Sequence, residues 1–152
     1  TCNLATPERE GMIYLDRVET KWPLRIQLAI GTQVPFNCTA SGKMYLSTMR
    51  SGTLNGVLAA RTLERRTAKT ITNPKDLFAE LAQTQARGYA TDDEEFMDGM
   101  VAVAVAVRDR QGRLMATLSV HAPIQRRPLD QLIGFLPTLQ DAAEKLTALH
   151  TT

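Results

Sequence analysis

The side chains best equipped for chemistry in this chain are Cys38, His121 and the acidic run Asp92-Asp93-Glu94-Glu95. Cys38 as nucleophile with His121 as base would make an enzyme, a hydrolase of the thiol–imidazole type. No motif around Cys38 fixes a base beside it, and a buried cysteine is usually a small hydrophobe. The acidic run reads either as a solvated loop or as the seed of a cation site, although it lacks the alternation of a calcium loop. Cys2, Cys38, His121 and His150 are poor material for a Cys/His zinc site. No metal, cofactor or catalytic residue is therefore expected. Cys2 lies in a patternless terminus and Cys38 in a packed-looking segment, so no disulfide is expected, and reduced cysteines fit a cytoplasmic location.

A different chemistry is offered by Pro35-Phe36-Asn37-Cys38-Thr39-Ala40-Ser41-Gly42-Lys43. Thr39 is a natural N-cap for a helix that follows. Ala40, Ser41 and Gly42 are small enough to let a ligand near the backbone. The free N–H groups of a helix start favour anions. Two readings stand side by side: a seat for a small anion, or a capped helix whose glycine serves packing. A nucleotide-binding P-loop is excluded. That motif needs glycine five residues before its Gly-Lys and Ser or Thr after it, and Asn37 and Met44 occupy those places. Lys43 is accordingly expected to point away along the helix.

The surrounding elements must position these groups. Gly11 to Val18 reads as a strand. Glu19 to Pro23 reads as a turn, and Leu24 to Ile30 alternates as a second strand, the two forming a hairpin or near neighbours. Ala40 to Met49 reads as a helix stopped by Ser51-Gly52, Leu54 to Arg65 as another weakened by Gly56, and Thr67 to Thr72 as a short extended piece. Asn73-Pro74 starts a helix that Gly88 stops. Gly88 to Ala90 is extended and Thr91 to Glu95 is a loop. Met100 to Val107 is a central strand with valines on one face and Ala102, Ala104 and Ala106 on the other. Asp109-Arg110-Gln111-Gly112 turns the chain into a strand over Leu114 to His121. There Leu114, Ala116, Leu118 and Val120 form the apolar face. Met115, Thr117, Ser119 and His121 either meet water or continue the alanine strip into a cavity. From Pro128 a helix follows that Pro137 should kink or divide.

These elements make an α+β domain: five or six strands, antiparallel hairpins at both ends, and helices between them. With 152 residues, the chain is long enough for one domain with a substantial core. Residues 1–10 lack pattern and read as a loose start or interdomain remnant of a longer protein, and 11–152 as the domain proper. Lys plus Arg number 18 against 16 Asp plus Glu, too slight an excess for a nucleic-acid surface. The basic run Arg61, Arg65, Arg66 and Lys69 reads as a solvated helix end. No apolar run approaches the roughly 20 residues of a membrane span.

Taken in order, several of these pieces resemble the C-terminal effector-binding domain of the IclR family of bacterial transcription regulators. They are Val34-Pro35 with Thr39-Ala40-Ser41-Gly42-Lys43, Thr70-Ile71-Thr72, Arg87-Gly88-Tyr89-Ala90 with Asp92 and Glu95, and Gly99. Val107-Arg108-Asp109, Gly112, and Leu118-Ser119-Val120 before Pro123 complete the set. The resemblance implies a GAF-like curved antiparallel sheet with helices on both sides, and a sensor rather than an enzyme. It implies a small organic acid effector, a carboxylate or aromatic acid. Effector binding would alter a homodimer or tetramer, and DNA would be bound only through a winged helix-turn-helix domain N-terminal to this chain. Carried onto this sequence, the effector would meet the backbone of Ala40 and Ser41, then Asp92, Met100, Ala102, Ser119 and His121. Asp92 would accept from a ligand hydroxyl or fix a neighbouring donor, and Met100 would be an apolar wall. Asn37, Ala102, Ala106 and His121 depart from common family residues, which implies a changed ligand preference. His121 would either carry positive charge toward an acid or be anchored to a backbone carbonyl. A dimerisation module with a vestigial pocket, using the apolar stripe Leu129 to Leu149, is the other reading.

Overall fold

Seven consecutive residues alternating valine and alanine form an interior strand of the sheet, covered on both faces. The computed structural model describes residues 1–19 and 29–151. Its strands are β1 (Cys2–Pro7), β2 (Met12–Val18), β3 (Gln33–Val34), β4 (Ala90–Asp93), β5 (Met100–Arg108) and β6 (Leu114–Pro123). They form one six-stranded sheet in the order β3-β2-β1-β6-β5-β4, antiparallel throughout. The helices are α1 (Ala40–Ser47), α2 (Ser51–Ala59), α3 (Pro74–Arg87), α4 (Leu129–Ile133) and α5 (Leu136–Thr151).

The two faces of β5 separate two cores. Val101, Val103, Val105 and Val107 pack with Leu132 of α4 and Leu139 and Ala143 of α5. Ala102 and Ala104 pack with Ala40 and Met44 of α1 and with Ala90. Small residues on that face let α1 sit close to the sheet. A third cluster joins Ala5, Met12, Tyr14 and Val34 to Leu46, Leu54, Leu58, Leu77 and Leu81, so that α1, α2 and α3 share the same side. Most of the C-terminal apolar stripe is thus consumed by the core of its own chain, leaving Leu149 exposed and Phe135 partly so.

Helix α3 follows its sequence signals closely. The Asn73 side chain accepts from the Lys75 N–H at 2.8 Å, Pro74 opens the first turn, and Gly88 closes the helix at φ 85°. Pro137 is the second residue of α5, where its missing N–H has no intrahelical role. The break falls just before it, at Gly134-Phe135.

Several expectations are corrected. Residues 1–10 are not a loose start, because β1 pairs with both β2 and β6 inside the sheet. Its inward side chains are Asn3 and Ala5, so its buried face carries little apolar signal. Strand β2 pairs with β1 and β3. The turn over Glu19 to Pro23 and the strand over Leu24 to Ile30 fall mostly outside the described residues, and Ile30 lies in a turn with Gly31. Thr67 to Thr72 is a folded loop rather than a strand. The Thr70 hydroxyl accepts from the N–H groups of Arg66 and Thr67 and donates to the Glu95 carbonyl at 2.6 Å, local bonding that competes with a ladder. Ser51-Gly52 opens α2 instead of closing α1, and α2 stops at Ala59. The acidic stretch begins within β4, not in a loop. A register shift at Val107/Arg108 sends Leu114 to the α1 face and Met115 to the α5 face.

Gly42 serves packing. A Cβ there would lie 2.4 Å from the Phe36 carbonyl oxygen and 2.5 Å from its Cα, both backbone atoms. Gly42→Ala is expected to destabilise the domain by about 3 kcal/mol, the upper range for overpacking. Gly56→Ala, at a helical position with nothing within 4 Å, is expected to stabilise by about 0.5–1 kcal/mol. Urea unfolding of the two variants reads the contrast.

Candidate functional site

The start of α1 is built by hydroxyl groups. Thr39 Oγ1 donates to the Pro35 carbonyl at 2.7 Å and accepts from the Gly42 N–H at 3.0 Å. Ser41 is buried, and its Oγ has no hydrogen-bond partner. Asn37 donates from Nδ2 to the Ile71 carbonyl at 3.0 Å, tying the loop to the chain before α3. Lys43 does not point away along the helix. It is buried, with Nζ 2.9 and 3.0 Å from the two carboxylate oxygens of Glu95 and 3.5 Å from Glu80.

Cross-strand register gathers a polar strip on the α1 face. Ala102 stands between Asp92 on β4 and His121 on β6. Ser119 stands between Ala104 on β5 and Asn3 on β1, and Asn3 lies opposite Arg17 on β2. Thr117, Ser119 and His121 are all buried, so this face of β6 continues the alanine strip and does not meet water. The His121 Nε2 lies 3.1 Å from Ser119 Oγ, and its ring meets Tyr14 edge-on at 6.5 Å.

Burial decides the charge states. It pushes His121 down to about 3, aided by Arg17, so the imidazole is neutral. The expectation of a cationic His121 is overturned, and its anchor is the Ser119 hydroxyl rather than a backbone carbonyl. Asp92 is raised to about 7 by burial and by the Glu95 carboxylate. Its Oδ1 accepts from the N–H groups of Glu95 at 2.8 Å and Phe96 at 3.4 Å, which folds the acidic stretch back on itself. Burial, then Asp92, pushes the Cys38 thiol up to about 12, so no thiolate is available near neutral pH. Among the described residues no group of His, Cys, Asp and Glu side chains is arranged to hold a metal ion. Asp93 and Glu94 pair instead with Lys69.

The basic run is also occupied within the chain. Arg61 bonds the Val57 and Arg9 carbonyls and lies over Phe36, Arg65 bonds the Thr67 and Ala68 carbonyls, and Arg66 lies over Phe96.

A family model described as the bacterial transcriptional regulator IclR C-terminal matches residues 1–148. The chain belongs to this family. It is 43% identical over 146 residues to the probable transcriptional regulator SauR of Cupriavidus necator, covering 96% of this chain and 58% of that protein. The IclR-type fold recurs in the crystal structure of Thermotoga maritima IclR, with a TM-score of 0.91 at 28% identity over 99% of this chain and 61% of that one. The C-terminal domain of Escherichia coli KdgR gives 0.88 at 28% identity, covering 99% and 87%. The chain spans about half the length of the curated relatives it matches, which are transcription regulators.

In this IclR-type domain the residues expected from sequence converge with one exception. Ala40, Ser41, Asp92, Ala102, Ser119 and His121 lie between α1 and the sheet. Met100 instead borders an open cleft of about 390 Å³ that His121 also reaches. Sequence reasoning missed Asn3, Tyr14, Arg17 and Thr117 as members of the strip. Thr117 was on the right face of its strand. The others depended on recognising β1. Both amide atoms of Asn3 and the hydroxyl of Thr117 are buried without a hydrogen-bond partner.

Proposed function

We propose that this IclR-type domain is the effector-binding part of a transcription regulator, and that a small organic acid, a carboxylate or aromatic acid, binds between α1 and the sheet. One observation carries the reading: the Asn3 amide, Ser41 Oγ and Thr117 Oγ1 are buried unpartnered on the two sides of that layer. An unmade hydrogen bond at a buried group costs about 1–3 kcal/mol. A ligand with several oxygens would supply what they lack. Such an acid would lie against the first turn of α1, Asp92, Ala102, Ser119 and His121, with Met100 at the rim. The helix start offers N–H groups to its negative charge. Neutral His121 would contribute a hydrogen bond and not a charge.

Binding there would bias the packing of α1 on the sheet and, through it, a homodimer or tetramer. DNA would be engaged through a winged helix-turn-helix domain N-terminal to this segment, in the cytoplasm. Among the described residues no helix is long and apolar enough to cross a membrane.

Thermal melting with a panel of short and aromatic carboxylates tests the reading. A ligand at 100 times its Kd that binds only the fold adds about 2.7 kcal/mol. Thr117→Val and Ser41→Ala remove unpartnered hydroxyls. Both are expected to leave the ligand-free melting temperature unchanged or higher, and to shrink the ligand-induced rise. A panel in which no acid shifts the wild-type melt sinks the reading.

A further inference from the structure

We propose that Asn3 is a ligand-binding, specificity-determining residue that reads a hydroxyl of the effector together with Thr117, and that the effector is a hydroxy acid. This rests on the function proposed above and concerns the part of the ligand that lies away from its acid group. The starting point is a corner of the buried strip where β2, β1 and β6 run side by side. Asn3 is 1% exposed and Thr117 0%. Both amide atoms of Asn3 and the Thr117 hydroxyl have no hydrogen-bond partner. Native interiors leave few such atoms, and here three fall in one corner.

The residues around the corner do not supply the missing bonds. Asn3 stands opposite Ser119 and Ala5 opposite Thr117, so Asn3 and Thr117 are diagonal neighbours on one face. Such neighbours lie about 7–8 Å apart, a gap that one small polar group bridges. The Ser119 hydroxyl is committed to His121 instead. Alanines hold the adjoining positions on β5, Ala104 opposite Ser119 and Ala106 opposite Thr117. On β2 a bulge at Leu15 turns both Tyr14 and Arg17 to this face, opposite Ala5 and Asn3.

Hydrogen-bond chemistry selects the ligand group. The Asn3 amide presents donors at Nδ2 and an acceptor at Oδ1, and both kinds are unmatched. A carboxylate or ketone oxygen accepts from Nδ2 and leaves Oδ1 without a donor. A hydroxyl does both. It accepts from the Thr117 O–H and gives its own proton to Oδ1, or accepts from Nδ2 and donates to Thr117. A site built around a ligand hydroxyl discriminates strongly against the analogue that lacks it, because its buried partners are then left unpaired. The acid group lies at the start of α1, a helix that packs over β4, β5 and β6, whereas Asn3 is on β1. Strands lie about 4.8 Å apart, so the hydroxyl belongs at the far end of the ligand and not on the carbon beside the carboxylate.

Calorimetric titration of the chain at pH 7 with three matched pairs tests this: 3-hydroxypropionate and propionate, 4-hydroxybutyrate and butyrate, 4-hydroxybenzoate and benzoate. All six carry one negative charge, so Arg17 and the helix start act alike on both members of a pair. In at least one pair the hydroxy acid is expected to bind at least tenfold more tightly than its parent. Asn3→Leu should bring that ratio to within twofold of unity while leaving the parent acid within threefold of its wild-type affinity. Its ligand-free melting temperature should not fall, since the amide makes no bond to lose. Thr117→Val should lower the ratio at least threefold, and it decides if Asn3→Leu does not fold. Three pairs whose members bind equally, or variants that keep the wild-type ratio, overturn the inference and leave the acid-sensing reading standing. So does tighter binding of succinamate than of 4-hydroxybutyrate, which would assign the corner to a ligand amide. A wild-type chain that binds no acid of this set or of the wider panel overturns both.

Discussion

Lys43→Met is expected to remove about 3–5 kcal/mol of stability, the loss that follows when one member of a buried ion pair is deleted. Lys43 is 1% exposed and Glu95 6%. Without the ammonium, the Glu95 carboxylate would remain buried beside Asp92, whose own ionisation it already opposes. Glu95 is held there by more than the lysine. Its Oε2 accepts from the Asp93 N–H at 2.9 Å, and its carbonyl takes the Thr70 hydroxyl. The chain cannot simply turn the carboxylate out to water. The double variant Lys43→Met with Glu95→Gln is therefore expected to recover a large part of the loss, with a coupling energy of about 2–3 kcal/mol in the cycle. Urea unfolding of the four proteins measures it. A loss below about 1 kcal/mol in Lys43→Met, the range of an exposed pair, would show that the pair is hydrated and does not pin α1. The pair matters for function because it ties α1 to the segment that follows Asp92. It thereby holds the helix start and the carboxyl in one frame.

Legibility in the sequence followed the strength of local pattern. The valine–alanine alternation of β5 determined which face met α5 and which met α1, since a two-residue period leaves no other choice. The Thr39 cap and the Asn73-Pro74 start were readable because capping chemistry is local. Strand β1 was not readable. Its inward residues are an asparagine and an alanine, so burial there carries polar rather than apolar side chains. Missing β1 hid Asn3, and with it the bulge that aims Arg17 inward. Lys43 was misread for a related reason. Burial of a lysine depends on Glu95, 52 residues away, and no pattern near Lys43 announces it. For His121 the sequence left a charged and an anchored reading open, because its ionisation is decided by how fully the fold covers it.

Between pH 4 and 6.5, unfolding of the wild type is expected to show no net slope from Asp92 and His121, because the two oppose each other. The folded pKa of His121 is about 3, below the unfolded 6.5, so its contribution is present above pH 6.5 and is lost as pH falls toward 3. The folded pKa of Asp92 is about 7, above the unfolded 3.8, so its contribution is present below pH 3.8 and is lost as pH rises through 7. Each group alone gives about 1.4 kcal/mol per pH unit where only one state holds the proton. Asp92→Asn retains an oxygen for the Glu95 and Phe96 N–H groups and removes one of the two slopes. Relative to wild type, its stability should then rise by about 3 kcal/mol from pH 4 to pH 6.5. His121→Gln should fall by a similar amount over the same window. Charged neighbours, Glu95 and Lys43 near Asp92 and Arg17 near His121, remain in all three proteins, so differences between the profiles isolate the substituted group. Urea midpoints measured across the window give those differences. An Asp92→Asn profile parallel to the wild type would mean that Asp92 ionises in the ordinary carboxylate range, and the α1 face would then carry a full negative charge at neutral pH. An acid ligand would have to overcome that charge. With Asp92 half-protonated near pH 7, the same carboxyl can donate a proton to a ligand oxygen, and acid binding should strengthen as the pH falls from 8 to 6.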